Sequence, residues 1–133
     1  MTDKVEKSDK EWLEQLGPKA FKVLRKHDTE RAGTSPLNAE KREGTFKCAG
    51  CGEPLFASDT KFESGTGWPS FFQPISDEAI EEKVDQTLWM TRTEVHCAKC
   101  GGHQGHVFPD GPNPTGLRYC INGVALEFEP KDD

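Results

Sequence analysis

A mainly antiparallel β domain with helices at its start is the fold that three features of this 133-residue chain predict. Apolar residues recur at helical spacing only before Lys26. From Thr45 onward, short apolar or alternating stretches are separated by turn-forming residues. Two Cys-x-x-Cys-Gly units then sit far apart, where they can clip distant parts of one sheet together.

The elements follow in order. Ser8 and Glu11 fit a capping box, and Trp12, Leu13 and Leu16 continue as the apolar stripe of a first helix. Gly17 stops it and Pro18 opens a second helix carrying Phe21, Val23 and Leu24. Residues 27–44 hold Gly33, Pro36 and Gly44 and read as a polar connection rather than a packed element. Thr45-Phe46-Lys47-Cys48 and Pro54-Leu55-Phe56 resemble the arms of a hairpin around the first cysteine pair. Leu88 to Val95 alternates, with Trp89, Thr91, Thr93 and Val95 on one face and Met90, Arg92 and Glu94 on the other. Phe108 closes another strand, and the proline- and glycine-bearing run from Pro109 to Gly116 must be a loop. Leu117 to Ile121 and Val124 to Phe128 are expected as two last strands joined by a tight turn at Asn122-Gly123. A single domain over residues 9–130 follows, behind a flexible segment at residues 1–8.

Bulk composition narrows the function. Charged residues make up 30% and apolar residues 33%, so the core is small for the length and a metal or covalent staple is expected. A net charge of -6 argues against binding nucleic acid, which needs a basic face. No stretch approaches the ~18 apolar residues of a membrane span. The opening Met1 to Lys7 lacks the apolar run of a secretory signal. A cytoplasmic monomer is the default expectation, and in a reducing compartment paired cysteines point to metal or catalysis before disulfides.

Cys48-Ala49-Gly50-Cys51-Gly52 and Cys97-Ala98-Lys99-Cys100-Gly101 have the spacing that lets two thiolates on one tight turn reach the same ion at ~2.3 Å. Together they supply four thiolates with no open position, which favours one structural zinc over disulfides, redox pairs or an iron centre. Residues 52–96 separate the pairs, many more than the ~15–20 of a free-standing ribbon. His96 and His103 lie near enough in sequence to compete as ligands, but replacing a thiolate with imidazole gains little.

Cys120 is then left without a partner. A buried, inert thiol is a frequent fate for such a residue. Its neighbours argue otherwise: Arg118 and Asn122 fall on the same strand face, one a cation that favours thiolate and the other a source of amide donors. Gly102-His103-Gln104-Gly105-His106 offers two imidazoles. The segment Glu63 to Phe72 holds two glycines and a proline around Trp68, a loop able to present its indole to a small polarised methyl group.

Four segments match in kind, order and spacing. They are Cys48-Ala49-Gly50-Cys51, Ser64-Gly65-Thr66-Gly67-Trp68-Pro69-Ser70-Phe71, Gly105-His106-Val107-Phe108-Pro109-Asp110-Gly111-Pro112 and Arg118-Tyr119-Cys120-Ile121-Asn122. In combination they closely resemble the B-type peptide methionine sulfoxide reductases over roughly residues 10–130. The resemblance implies two antiparallel sheets, a zinc held by Cys48, Cys51, Cys97 and Cys100, and stereospecific reduction of methionine-R-sulfoxide, free or in proteins. By motif match it implies Cys120 as nucleophile, with His103, His106 and Asn122 as the polar half of the pocket. Trp68, with Phe108, would form the methyl-binding half, and Arg118 matches the arginine two residues before the family's nucleophile. Many family members carry a second redox cysteine where this chain has Thr66. No internal resolving thiol remains here, so thioredoxin, glutaredoxin or a small thiol is expected to regenerate the enzyme. Of the two histidines, His103 is the first expected proton donor and His106 the second.

Two other classes stay in view. A zinc-clipped binding or chaperone module explains the knuckles but not the convergence of histidines, Trp68 and a free thiol. A zinc hydrolase using His103 and His106 needs the open coordination position that four cysteines deny.

Overall fold

The computed structural model of the chain describes residues 7–26, 28–87 and 90–131. Its order is α1 (Asp9–Leu16), α2 (Pro18–Lys26), β1 (Gly44–Cys48), β2 (Pro54–Ala57), β3 (Lys61–Phe62), β4 (Ser70–Phe71), β5 (Ile80–Thr87), β6 (Met90–Cys97), β7 (His103–Phe108), β8 (Arg118–Ile121) and β9 (Leu126–Pro130). The strands form two antiparallel sheets, β2-β1-β9 and β3-β4-β8-β7-β6-β5, as the family resemblance implied.

The helices begin as their sequence requires. The Ser8 hydroxyl accepts the Glu11 backbone N–H at 3.2 Å, while the Ser8 N–H donates to the Glu11 carboxylate at 2.9 Å. Gly17 ends α1 with φ at 84°. Trp12 and Leu24, from the two helices, point into the cysteine knuckles; Trp12 is only 1% exposed.

Aromatic rings join the sheets. Phe56 of β2 stacks on Phe71 of β4 at 4.4 Å, and Phe46 of β1 meets the same ring edge-on at 5.0 Å. All three are fully buried. Each such side chain contributes roughly 1.5–3 kcal/mol through removal from water, so this seam holds the two sheets face to face.

The first-pair hairpin forms as expected, with Thr45 opposite Ala57 and Phe46 opposite Phe56. Of the alternating strand, the part from Met90 onward lies in β6; Leu88 and Trp89 lie outside the described residues, as do residues 1–6. Two expectations are overturned. β8 and β9 are not the arms of a hairpin: β8 pairs with β4 and β7, whereas β9 pairs with β1 in the other sheet. A type I′ turn needs positive φ at both central residues. Asn122 instead has φ of -71°, and Gly123–Ala125 form a short 3₁₀ turn that carries the chain between sheets. The second concerns the connection after α2, which is packed after all. Glu30 and Ser35 are buried, Pro36–Ala39 make a 3₁₀ turn, and Gly33 N–H donates to the Gly67 carbonyl at 2.7 Å. Those bonds run to residues more than thirty positions away, which no local signal in residues 28–40 announces.

Candidate active site and metal centre

The five cysteines separate into two environments. Cys48 and Cys51 flank the β1 turn, Cys97 ends β6 and Cys100 closes the second turn. Their sulfurs all lie within 4.8 Å of one another, with Cys48 to Cys100 at 3.6 Å and Cys51 to Cys97 at 3.5 Å. Four ligands at ~2.3 Å around a tetrahedral ion stand ~3.8 Å apart, so the four cysteines fit a metal ion. The N–H groups of Gly50 and Gly102 donate to Cys48 and Cys100, and the Gln104 amide donates to Cys48 at 3.4 Å. Hydrogen bonding within the cluster splits its acidities. Cys51 is pushed down by the other three, Cys100 first, and Cys100 falls to about 7 through Cys48. Cys48 and Cys97 are pushed up, chiefly by Cys100. Four thiolates this close would repel one another, and a bound metal ion would relieve that conflict.

The helices close this centre. The Gln15 amide donates to the Gly50 carbonyl at 2.6 Å, and Arg25 donates to the Cys100 carbonyl at 2.9 Å while its guanidinium covers the Trp12 ring. His96, considered from sequence as a ligand, bonds instead to the Gly101 carbonyl and to Glu94. His103 packs beside it and toward the Val23 carbonyl of α2.

Cys120 belongs to neither pair. On β8 the burial alternates, Tyr119 and Ile121 inward, Arg118 and Cys120 on the opposite face. That face opens into a cleft of about 280 Å³ lined by Cys120, Trp68, His106, Phe108, Arg118 and Asn122, among others. Six of the seven residues singled out from sequence are therefore brought together. The seventh, His103, is 1% exposed and sits behind His106, the rings 5.4 Å apart. The expected order of the two histidines is thus reversed in space: His106, not His103, reaches the cleft.

Two walls of the cleft are held by one stretch of chain. The Trp68 indole N–H donates to the Glu30 carbonyl at 3.0 Å, and the Glu30 N–H donates to the Asn122 side-chain oxygen at 2.9 Å. The Asn122 amide in turn donates to the Gln104 carbonyl at 3.0 Å. Gly67 has φ at 94°, and a Cβ there would come within 2.8 Å of Ala32, so glycine lets this loop lie against the strap. Arg118 is fixed by a bidentate pair with Asp110, at 2.9 and 3.2 Å, and lies 4.5 Å over the Phe108 ring. The same pair holds the Asp110 carboxyl below its ordinary range.

The thiol itself is pushed up. Burial dominates, and the nearby Glu30 carboxylate adds to it; the Thr66 hydroxyl, 3.9 Å from the sulfur, and the Arg118 charge oppose it without prevailing. Thr66 is therefore next to the sulfur, where it brings a hydroxyl and no second thiol.

Thr29, Arg92 and Gly105 also line the cleft, and Glu30 braces it; none was anticipated as a site residue. Arg92 was within reach, since the alternation of β6 places it on one face with Glu94. Thr29 and Glu30 had no such signal in a polar connection.

Comparison with known proteins adds an independent line. A family model described as the SelR domain matches residues 16–130. The chain is 58% identical to a peptide methionine sulfoxide reductase MsrB of Agrobacterium fabrum, over 96% of this chain and 94% of the relative. It is 52% identical to the protein of that name from Leptospira interrogans, over 97% and 98% of the two chains. A relative of the same name, from Methanosarcina barkeri, is also 52% identical, over 97% and 91%.

Proposed function

The chain belongs to the SelR-domain family of B-type peptide methionine sulfoxide reductases, and from that premise we propose how its own residues carry the reaction. It is a peptide-methionine (R)-S-oxide reductase, returning oxidised methionine to methionine in protein repair. Residues 9–130 act as one reductase domain. Cys48, Cys51, Cys97 and Cys100 hold a single Zn²⁺, whose contribution is structural because a closed four-thiolate site leaves no position for substrate.

Cys120 is the nucleophile. Its sulfur attacks the sulfoxide sulfur while His106, as imidazolium, gives a proton to the sulfoxide oxygen. Oxygen passes to the Cys120 sulfur, which loses two electrons; the methionine sulfur gains them and leaves. The proton of the thiol restores the imidazolium, and Cys120 remains as sulfenic acid. Burial keeps the resting thiol protonated, so attack and proton loss must be coupled, with Arg118 stabilising charge as it forms. Asn122, with one amide hydrogen held by the Gln104 carbonyl, offers its other one to the substrate, and Trp68 and Phe108 seat the methyl group.

An outside thiol then reduces the sulfenic acid, because the other four cysteines are committed to the metal. Its class is thioredoxin, glutaredoxin or a small thiol, acting on a monomer in the cytoplasm. What supports the route above all is the position of the Cys120 sulfur: apart from the cluster of four, in the same cleft as Trp68 and His106. One turnover on the R epimer without reductant, followed by mass spectrometry, tests it. A single oxygen added to Cys120 is expected; loss of two hydrogens in an internal disulfide overturns it.

A further inference from the structure

His103 and His106 are three positions apart, an odd offset that in a regular strand would send their side chains to opposite faces. Here the β6–β7 register breaks: Val95 pairs with Gly105, but His96 pairs with His103, leaving Gln104 as an extra residue. This irregularity turns both rings to one cluster, a use of strand bulges found beside active sites.

The register then lays out a row across the sheet. Glu94 on β6 stands directly opposite His106 on β7, which stands directly opposite Cys120 on β8. Directly paired residues project from the same face with Cβ atoms ~4.5–5.5 Å apart, so His106 lies between a carboxylate and the sulfur. The ligand atoms of Glu94, His103 and His106 fall within 4.8 Å of one another. The Glu94 side chain is 14% exposed, and one of its oxygens is oriented by His96 at 2.8 Å. A carboxylate this sheltered interacts with a neighbouring imidazole far more strongly than one in water.

We propose that Glu94 is a positioning residue of the reductase reaction, holding His106 protonated and aimed at the sulfoxide oxygen. The inference rests on the reading in which His106 is the proton donor to a sulfoxide attacked by Cys120. Other charged and titratable groups share the face. Lys83 is opposite Glu94 on β5, Arg92 and His96 flank it on β6, His103 and His106 face it from β7, and Arg118 and Cys120 follow on β8. From α2, the Val23 carbonyl meets His103 at Nδ1. Among these, Glu94 is the carboxylate in register with His106.

The test is a cycle of Glu94→Gln, His106→Gln and the double variant in the zinc-loaded enzyme, with dithiothreitol as reductant. Glu94→Gln is expected to lower kcat about 10- to 100-fold, below the ~10²–10⁴ of losing a proton donor outright. KM should stay within about twofold, as for a group acting only on the transition state. The alkaline limb of kcat should move to lower pH, and Glu94→Asp should restore the limb with part of the rate. In the His106→Gln background, removing Glu94 should change nothing further. Full activity of His106→Gln would overturn the reading of the donor. A slow His106→Gln with an unshifted pH profile for Glu94→Gln, or with multiplicative losses in the double variant, would overturn the role of Glu94 alone. Wild-type NMR gives a readout without variants: the Glu94 side-chain carboxyl carbon should shift as His106 titrates, and two independent titrations would refute the coupling.

Discussion

Two regions of this molecule use the same side chain for opposite ends. In the knuckles four sulfurs stand 3.5–3.6 Å apart in pairs, fed by backbone and amide N–H groups and covered by Trp12 and Leu24. In the cleft a single sulfur shares its walls with an indole, an imidazole and a guanidinium. Burial is similar in kind, so it cannot be what makes one thiol reactive. The difference lies in what each sulfur faces: other sulfurs that can share a cation, or groups that can seat a methyl and move a proton.

That contrast is broken most severely by Cys120→Ser. Turnover should fall at least ~10³-fold, while metal content and melting temperature stay at wild-type values; retained turnover would move the chemistry elsewhere. Cys48→Ser attacks the other side. Metal analysis should find less than one zinc per chain, and denaturant unfolding should report a loss of at least ~3 kcal/mol, since metal binding energy is folding energy in such sites. Unchanged metal and stability would remove the structural role of the cluster.

Trp68→Ala should cost kcat/KM about 10- to 100-fold, or ~1.4–2.8 kcal/mol in the transition state, with zinc retained. The mildest expected effect concerns acidity. Burial raises the Cys120 thiol while Arg118 lowers it, so iodoacetamide alkylation should rise with pH about a midpoint above the ordinary thiol value. Arg118→Ala removes a lowering influence and should push that midpoint higher still; a midpoint that falls would reverse the assigned sign. The knuckle cysteines should stay unalkylated in the same zinc-loaded sample.

What could be read from the chain follows the range of the interactions. The Cys-x-x-Cys-Gly turns, the Ser8 cap and the alternation of β6 are local and announce themselves. Cys120 stood out because the other four cysteines fell into pairs. The hairpin expected at Asn122-Gly123 failed because the Asn122 side chain is committed to Glu30 and Gln104, partners far off in sequence. For the same reason residues 28–40 looked like a mere connection. The order of His103 and His106 depended on one irregular residue pair in β7, which alternation alone does not reveal.

The brace made by Glu30 has a consequence for how the protein comes into being. Its bonds to Asn122 and Val124 join positions 92 and 94 residues apart. A growing polypeptide leaves the ribosome with Glu30 well before Asn122, at ~5–20 residues per second. Such distant closures are slow to form because loop entropy is lost before contact is gained. The knuckles can mature as soon as Cys100 has emerged, whereas the substrate cleft acquires its final wall only once Asn122 and Val124 have followed. Nascent chains are therefore expected to hold metal before they can repair anything.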